Sequence, residues 1–185
     1  MVLLDLALDI DPALNVFVAD TELLFPETYA LLERVERRYG IAVDRLRPRL
    51  GVAAQNVAYG EALWARDPDA CCALRKVEPL REHVQMYDAW MTALRRDQSR
   101  SRSATAVRAW DAAAQVVKIA PLAEWTEAAV WAYVRERDIP VNALHADGYP
   151  SIGCTHCTRR AAAADGLRAG RWAEFDKVEC GIHGA

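Results

Sequence analysis

Apolar and polar positions along this chain switch between a helical and an extended period, and the switches outline its elements. In the first ten residues Leu3, Leu6, Ala7 and Ile10 share one helical face, and Asp11-Pro12 ends the run. Residues 15–19 (NVFVA) form an apolar run of strand length, followed by Asp20-Thr21. Pro26 then suits the first turn of a helix and Gly40 its C-terminal cap, with Tyr29, Leu32, Val35, Glu36 and Tyr39 at helical spacing between them. Residues 41–46 predict a second strand, and residues 87–94 and 115–119 predict two more. Residues 124–137 predict an amphipathic helix with Thr126 as N-cap and Trp131 and Val134 facing inward.

Helix, strand, helix, strand in this order predicts an α/β fold with a parallel sheet. No internal repeat or low-complexity linker divides the chain, so residues 1–185 read as one domain. Chains of this class usually open with a strand and a phosphate-binding turn; here the first helix begins at residue 1.

Composition narrows the function classes. Half the residues are apolar and a quarter charged, as in a soluble globular protein. The net charge of -3 argues against a uniformly basic nucleic-acid surface. No apolar run approaches the roughly 18 residues that span a bilayer. The apolar N-terminus carries Asp5 and Asp9 and no basic stretch, so it does not read as a signal peptide, and a cytoplasmic address is expected.

An odd count of five cysteines without a secretion signal points to metal or redox chemistry rather than a disulfide framework. Cys71 and Cys72 are adjacent, Cys154 and Cys157 form a CxxC, and Cys180 stands alone near the end. Thiolates suit zinc or iron–sulfur clusters. Two adjacent side chains diverge, which fits two irons of a cubane better than one zinc ion; zinc and inert buried thiols remain the alternatives. Cys180 is either an incidental thiol or a nucleophile on a terminal tail, with His183 able to favour its thiolate if close in space.

Arg95, Arg96, Arg100, Arg102 and Arg108 crowd a stretch whose only acid is Asp97, and Arg159, Arg160, Arg168 and Arg171 follow the CxxC. Guanidinium forks match phosphate and sulfate oxygens, so these stretches read as an anion site or else as solvated basic loops. Lys76, close behind the cysteine pair, is placed either between a metal site and an anion or simply on the surface.

The ordered stretches Asp20-Thr21, Pro26-Glu-Thr-Tyr29, Cys71-Cys-Ala-Leu-Arg-Lys-Val-Glu-Pro79, Arg95-Arg-Asp-Gln-Ser99, Gly148-Tyr-Pro-Ser-Ile-Gly-Cys154, Arg168-Ala-Gly-Arg-Trp172 and Glu179-Cys-Gly-Ile-His183 resemble the APS/PAPS reductase family. The resemblance implies a PP-loop-like, adenine-nucleotide α-hydrolase-like domain. It implies one [4Fe-4S] cluster per chain on Cys71, Cys72, Cys154 and Cys157, as in the branch that uses adenylyl sulfate (APS). It further implies that Cys180 attacks the phosphosulfate, releases AMP and keeps an S-sulfonate, which thioredoxin or a similar dithiol then reduces to free sulfite. Arg96, Arg102, Arg168 and Arg171 would hold the phosphosulfate, Lys76 would lie between cluster and substrate, and Thr21 and His183 would border the substrate. Residues 172–185 are expected to be a mobile catalytic tail. A homo-oligomer is compatible with this reading; a nucleic-acid or membrane partner is not.

Three departures accompany the resemblance. The family's first strand and phosphate turn would lie before Met1, so an N-terminally truncated domain is expected. Glu22 stands where the family usually has Gly, and the tryptophan-rich run after Arg171 is reduced to Trp172. The alternatives are therefore a reductase of the 3′-phosphorylated nucleotide (PAPS) and a non-catalytic iron–sulfur or zinc-binding remnant.

Overall fold

A computed structural model describes residues 1–162 and 165–183. Helix α1 (Val2–Ile10), strand β1 (Val16–Ala19), helix α2 (Pro26–Tyr39) and strand β2 (Val43–Leu46) follow in the order the pattern predicts. β1 and β2 are parallel, with Val16 beside Val43 and Ala19 beside Leu46. α2 forms the crossover between them. Pro26 occupies its first turn, where a missing N–H costs nothing, and Gly40 ends it at φ 64°, a conformation that suits a residue without Cβ.

The segment after β2 had no predicted element, yet it is largely helical: α3 (Val52–Tyr59), α4 (Leu63–Arg66), α5 (Pro68–Cys72), a π turn (Ala73–Val77) and α6 (Glu78–Val84). Strands β3 (Ala89–Met91), β4 (Arg108–Asp111) and β5 (Val116–Ile119) make a second sheet in the order β3-β5-β4. β3 and β5 are parallel, whereas β4, absent from the sequence reading, is antiparallel to β5. The class is α/β as expected, with one antiparallel edge strand. Helix α7 (Glu127–Glu136) starts at Thr126, whose hydroxyl accepts from the Ala129 amide at 3.2 Å.

The central core joins elements far apart in sequence. Leu80, Val84, Trp90, Ala114 and Val116 are buried together, with Phe17 of β1, Leu46 of β2 and Ile182 of the tail packed against them. A second cluster sets Val2 against Leu122, Val134 and Ile139. The edges of β1 and β3 that face away from their partners flank one apolar cavity of about 330 Å³, lined by Leu3, Leu8, Phe17, Ala89 and Trp90 among others.

The face of α1 differs from expectation. Val2, Asp5 and Leu8 are buried, while Ile10 is 85% exposed. Asp5 is carried inward because its carboxylate accepts from Tyr39 Oη at 2.9 Å, Tyr133 Oη at 3.0 Å and Arg137 Nε at 3.2 Å. A fully partnered carboxylate is tolerated inside, and apolar spacing alone does not reveal those partners. Among the described residues no helix is long and apolar enough to cross a membrane.

Candidate active site

The two cysteine pairs reach one place from separate elements. Asp67 caps α5, accepting from the Ala70 amide at 2.9 Å, and Pro68 follows in the first turn. The helix therefore delivers Cys71 and Cys72 inward at 7% and 5% exposure. It then widens into the π turn, which buries Arg75, Lys76 and Val77. Single π turns inside helices often mark functional sites.

Cys154 and Cys157 lie on a tight turn pinned to the connection between β1 and α2. The Thr155 amide donates to the Leu23 carbonyl at 2.9 Å, Leu24 bridges Cys154, and His156 stacks on Trp64 with centroids 4.1 Å apart. The Thr21 hydroxyl lies 3.2 Å from Cys154 Sγ. All four thiols line one small cavity with Lys76, Arg75, Trp64 and His156. Burial pushes the Cys71 thiol up to about 12, helped by the neighbouring sulfurs, and the Cys72 thiol up to about 11 against the pull of Lys76. Burial also raises Cys157. Among the described residues, no three His, Cys, Asp or Glu side chains are grouped as if to grip a single metal ion.

Arg75 is 1% exposed and ties the β1–α2 turn to this site. It donates to the Thr21 carbonyl at 2.7 Å, Gln55 Oε1 at 2.9 Å and Glu22 Oε2 at 2.7 Å. Glu22 itself adopts φ 57°, which explains why glycine is at home there; in this chain the carboxylate instead serves the buried guanidinium.

Trp172, 2% exposed, packs on Cys72, Cys154 and Cys157. The cations of Arg171, Lys177 and Arg168 lie 4.5, 5.4 and 5.8 Å from its ring centroid. Arg171 also reaches Ser151 Oγ at 3.4 Å and presses on Gly153, where a Cβ would overlap the guanidinium. Nε of both Arg168 and Arg171 is buried without a hydrogen-bond partner among the described residues. Burial, with the charge of Arg102 beside it, pushes Arg168 down to about 10.

The chain after Trp172 lies against the domain. Cys180 is half-buried on the thiol cluster, Glu179 pairs with Arg102, and Ile182 joins the central core. His183 stacks on Trp90 at 5.9 Å, and burial, followed by the charges of Arg102 and Lys118, pushes its imidazole down to about 3. It is thus neutral at physiological pH and supplies no cation to the thiol. Gly184 and Ala185 lie outside the described residues.

Of the residues singled out from sequence, the structure gathers Thr21, Lys76, the four paired cysteines, Arg168, Arg171 and Cys180 around Trp172 and the thiol cavity. Arg102 joins through Glu179. Arg96 turns away, donating to the Thr105 carbonyl at 2.9 Å and to Glu124 at 3.0 Å. Its neighbour Arg95 instead lines a cavity of about 260 Å³ with Gln98, Trp131, His145, Ser151 and Arg168. Sequence reasoning gave no role to Glu179 or Arg75. The acid directly before the lone cysteine was the one available signal for Glu179.

Fold and site together define an α/β domain that sets a cage of buried thiols beside a cluster of arginines. Over residues 1–160 the sequence matches the phosphoadenosine phosphosulfate reductase domain, and the chain belongs to that family. It is 45% identical over 184 residues to the adenosine 5'-phosphosulfate reductase of Salinibacter ruber, covering 99% of this chain and 73% of that protein. It is likewise 45% identical over 186 residues to the phosphoadenosine 5'-phosphosulfate reductase of Gloeobacter violaceus, covering 99% of this chain and 77% of that protein. A solved phosphoadenylyl-sulfate reductase from Candida auris, in a phosphate complex, shares the fold at TM-score 0.69 and 30% identity, over 82% of this chain and 76% of that one.

Proposed function

We propose that this domain reduces adenylyl sulfate to sulfite and AMP in sulfate assimilation, with Cys180 as nucleophile. The observation that carries the reading is the position of Cys180 on the thiol cluster with Trp172, whose ring carries the Arg168 and Arg171 guanidinium groups, while Lys76 lines the thiol cavity. The name of the Salinibacter relative supports the substrate.

In this reading the Cys180 thiolate attacks the sulfur of the phosphosulfate. A sulfur–sulfur bond forms, and the bond from sulfur to the bridging oxygen breaks, its electron pair leaving on AMP. Arg102, Arg168 and Arg171 offset the phosphate and sulfate charge. The nucleoside lies in the cavity of about 260 Å³ that Arg168 shares with Arg95 and Gln98. Thioredoxin or a similar dithiol then attacks Cys180 Sγ and expels sulfite; its second thiol resolves the mixed disulfide, so the dithiol is oxidised as the sulfonate sulfur is reduced. A reducing cytoplasm suits five free thiols.

The donor set fits a [4Fe-4S] cluster held by Cys71, Cys72, Cys154 and Cys157: four buried thiols, a hydroxyl on one sulfur and Lys76 at 8% exposure to balance charge. When bound, such a cluster supplies a charged iron–sulfide body that tunes the anion site through Lys76. Burial opposes the charge of Lys76, but Cys154 and Cys72 outweigh it and raise its pKa.

The test is anaerobic purification, iron and sulfide counts per chain, and a sulfite assay with adenylyl sulfate and thioredoxin. Cys180→Ser is expected to keep the iron and lose all sulfite formation. An active Cys180→Ser protein overturns the mechanism, zinc in place of iron overturns the cluster, and preference for the 3′-phosphorylated nucleotide overturns the substrate.

A further inference from the structure

The carboxylate of Glu179 lies where an anionic ligand of the arginines would lie. Arg102 grips it in a two-pronged pair, Nε to Oε1 and Nη2 to Oε2, each at 2.7 Å. Ser101 Oγ donates to Oε1 at 3.1 Å, and Arg168 Nη2 reaches Oε2 at 3.2 Å. Arg102 Nη1 is engaged separately by Gln98 Oε1 at 2.6 Å. The fork edge of Arg102 is therefore fully occupied, and a second anion can take it only by moving Glu179 out.

This pair is not the ordinary exposed ion pair that contributes little. The side chains of Arg102, Arg168 and Glu179 are only 12%, 15% and 19% exposed, and the geometry is that of a guanidinium on a planar anion. Burial alone would raise the Glu179 carboxyl, but hydrogen bonding from Arg102 and the charges of Arg168 and Arg102 hold it below its ordinary range. It is an anion at any physiological pH.

The position of Glu179 in the chain gives the contact a consequence. Val178 offers its carbonyl to Arg168 Nη2 at 2.9 Å, Cys180 follows on the thiol cluster, and Gly181 turns at φ 88° before Ile182 enters the core. The backbone that carries the nucleophile is thus fastened to the arginines by its own acidic side chain.

We propose that Glu179 is an internal substitute for the substrate anion, which fastens the tail over the arginine fork until a phosphosulfate displaces it. This rests on the reductase reading above and adds a positioning residue to it. Sulfate and phosphate bring more negative charge to the fork than one carboxylate, so exchange favours the ligand. The exchange also unfastens the backbone next to Cys180 from the fork, so that its thiol can move onto the sulfur of the arriving phosphosulfate. An occupied fork weakens apparent ligand affinity by the fraction of molecules in which it is open. A tail closed in about nine molecules of ten costs about tenfold in Kd.

The experiment uses iron-loaded Cys180→Ser protein, in which no turnover occurs, with and without Glu179→Gln. Adenylyl sulfate binding is measured by calorimetry, and trypsin cleavage after Lys177 reports whether the tail is fastened. Glu179→Gln is expected to tighten binding about tenfold and to speed cleavage in the absence of nucleotide. Adenylyl sulfate should speed cleavage of the parent to the same rate. Glu179→Asp, which keeps the charge, should restore slow cleavage and weaker binding. Binding by the parent that Glu179→Gln leaves unchanged or weakens overturns the displacement while sparing the reductase reading. Absence of nucleotide binding in both proteins overturns that reading and this inference with it.

Discussion

At the scale of single residues, the pairing of Glu22 with Arg75 combines a strained backbone with a buried charge. Glu22 bears φ 57°, and its carboxylate meets a guanidinium that is 1% exposed. Removing the acid leaves Arg75 three neutral partners, the carbonyls of Thr21 and Leu50 and the Gln55 side chain, so the loss stays moderate. We expect Glu22→Ala to lower stability by about 1–2 kcal/mol, because alanine loses the charged hydrogen bond and keeps the strain. Glu22→Gly relieves the backbone by about 1 kcal/mol and should fall between alanine and the parent. Urea midpoints of the three proteins at equal iron content check the order. Glycine less stable than alanine would show that the left-handed conformation at position 22 is not strained.

At the scale of elements, α1 is clasped to α2 and α7 by Asp5. Burial works against its charge, but the hydroxyls of Tyr39 and Tyr133 and the guanidinium of Arg137 outweigh it and depress the carboxyl pKa. A depressed carboxylate stabilises the fold above its unfolded value near 3.9, and the contribution disappears as pH falls through the folded value. Asp5→Asn should therefore cost about 2–3 kcal/mol at pH 7. The gap from the parent should close as the pH drops below about 4. Thermal melts at stepped pH measure it; a gap constant down to pH 2 would refute the charge argument. The clasp also shows what a linear pattern conceals. α2 was legible because its proline, its five spaced residues and the glycine directly after it are all local in sequence. The inward turn of Asp5 depends on Tyr133 and Arg137, on the far side of the chain. The helices between β2 and β3 escaped notice for a similar reason: α4 and α5 are too short to show a period, and the π turn after them is held by Arg75 through Thr21, Glu22, Leu50 and Gln55. The four paired cysteines were legible as a group, whereas the partner of Arg102 was not, since no spacing rule links positions 102 and 179.

At the scale of the molecule, the thiol cavity closes a long loop between α5 and the turn that carries Cys154 and Cys157. Protein contacts already hold this turn: the Thr155 amide on Leu23, the Trp64–His156 stack and the hydrogen bond from the Trp172 amide to the Cys157 carbonyl at 3.1 Å. A cluster on the four cysteines would add a brace across the same junction, and its free energy would be local to the segments it joins. β1 and β2 pair through their own ladder. Stripping iron from anaerobically prepared protein should therefore speed amide exchange of Cys154–Cys157 and of Trp172 through Cys180 by at least about tenfold, equivalent to about 1.4 kcal/mol of local opening. The amides of β1 and β2 should change little. Because Cys180 rests on this junction, its alkylation should accelerate in step with the exchange of Trp172. A uniform rise over the whole chain would instead make the metal a global stabiliser. No change anywhere would mean that the protein contacts alone set the cage, and that the thiols are placed before any metal arrives.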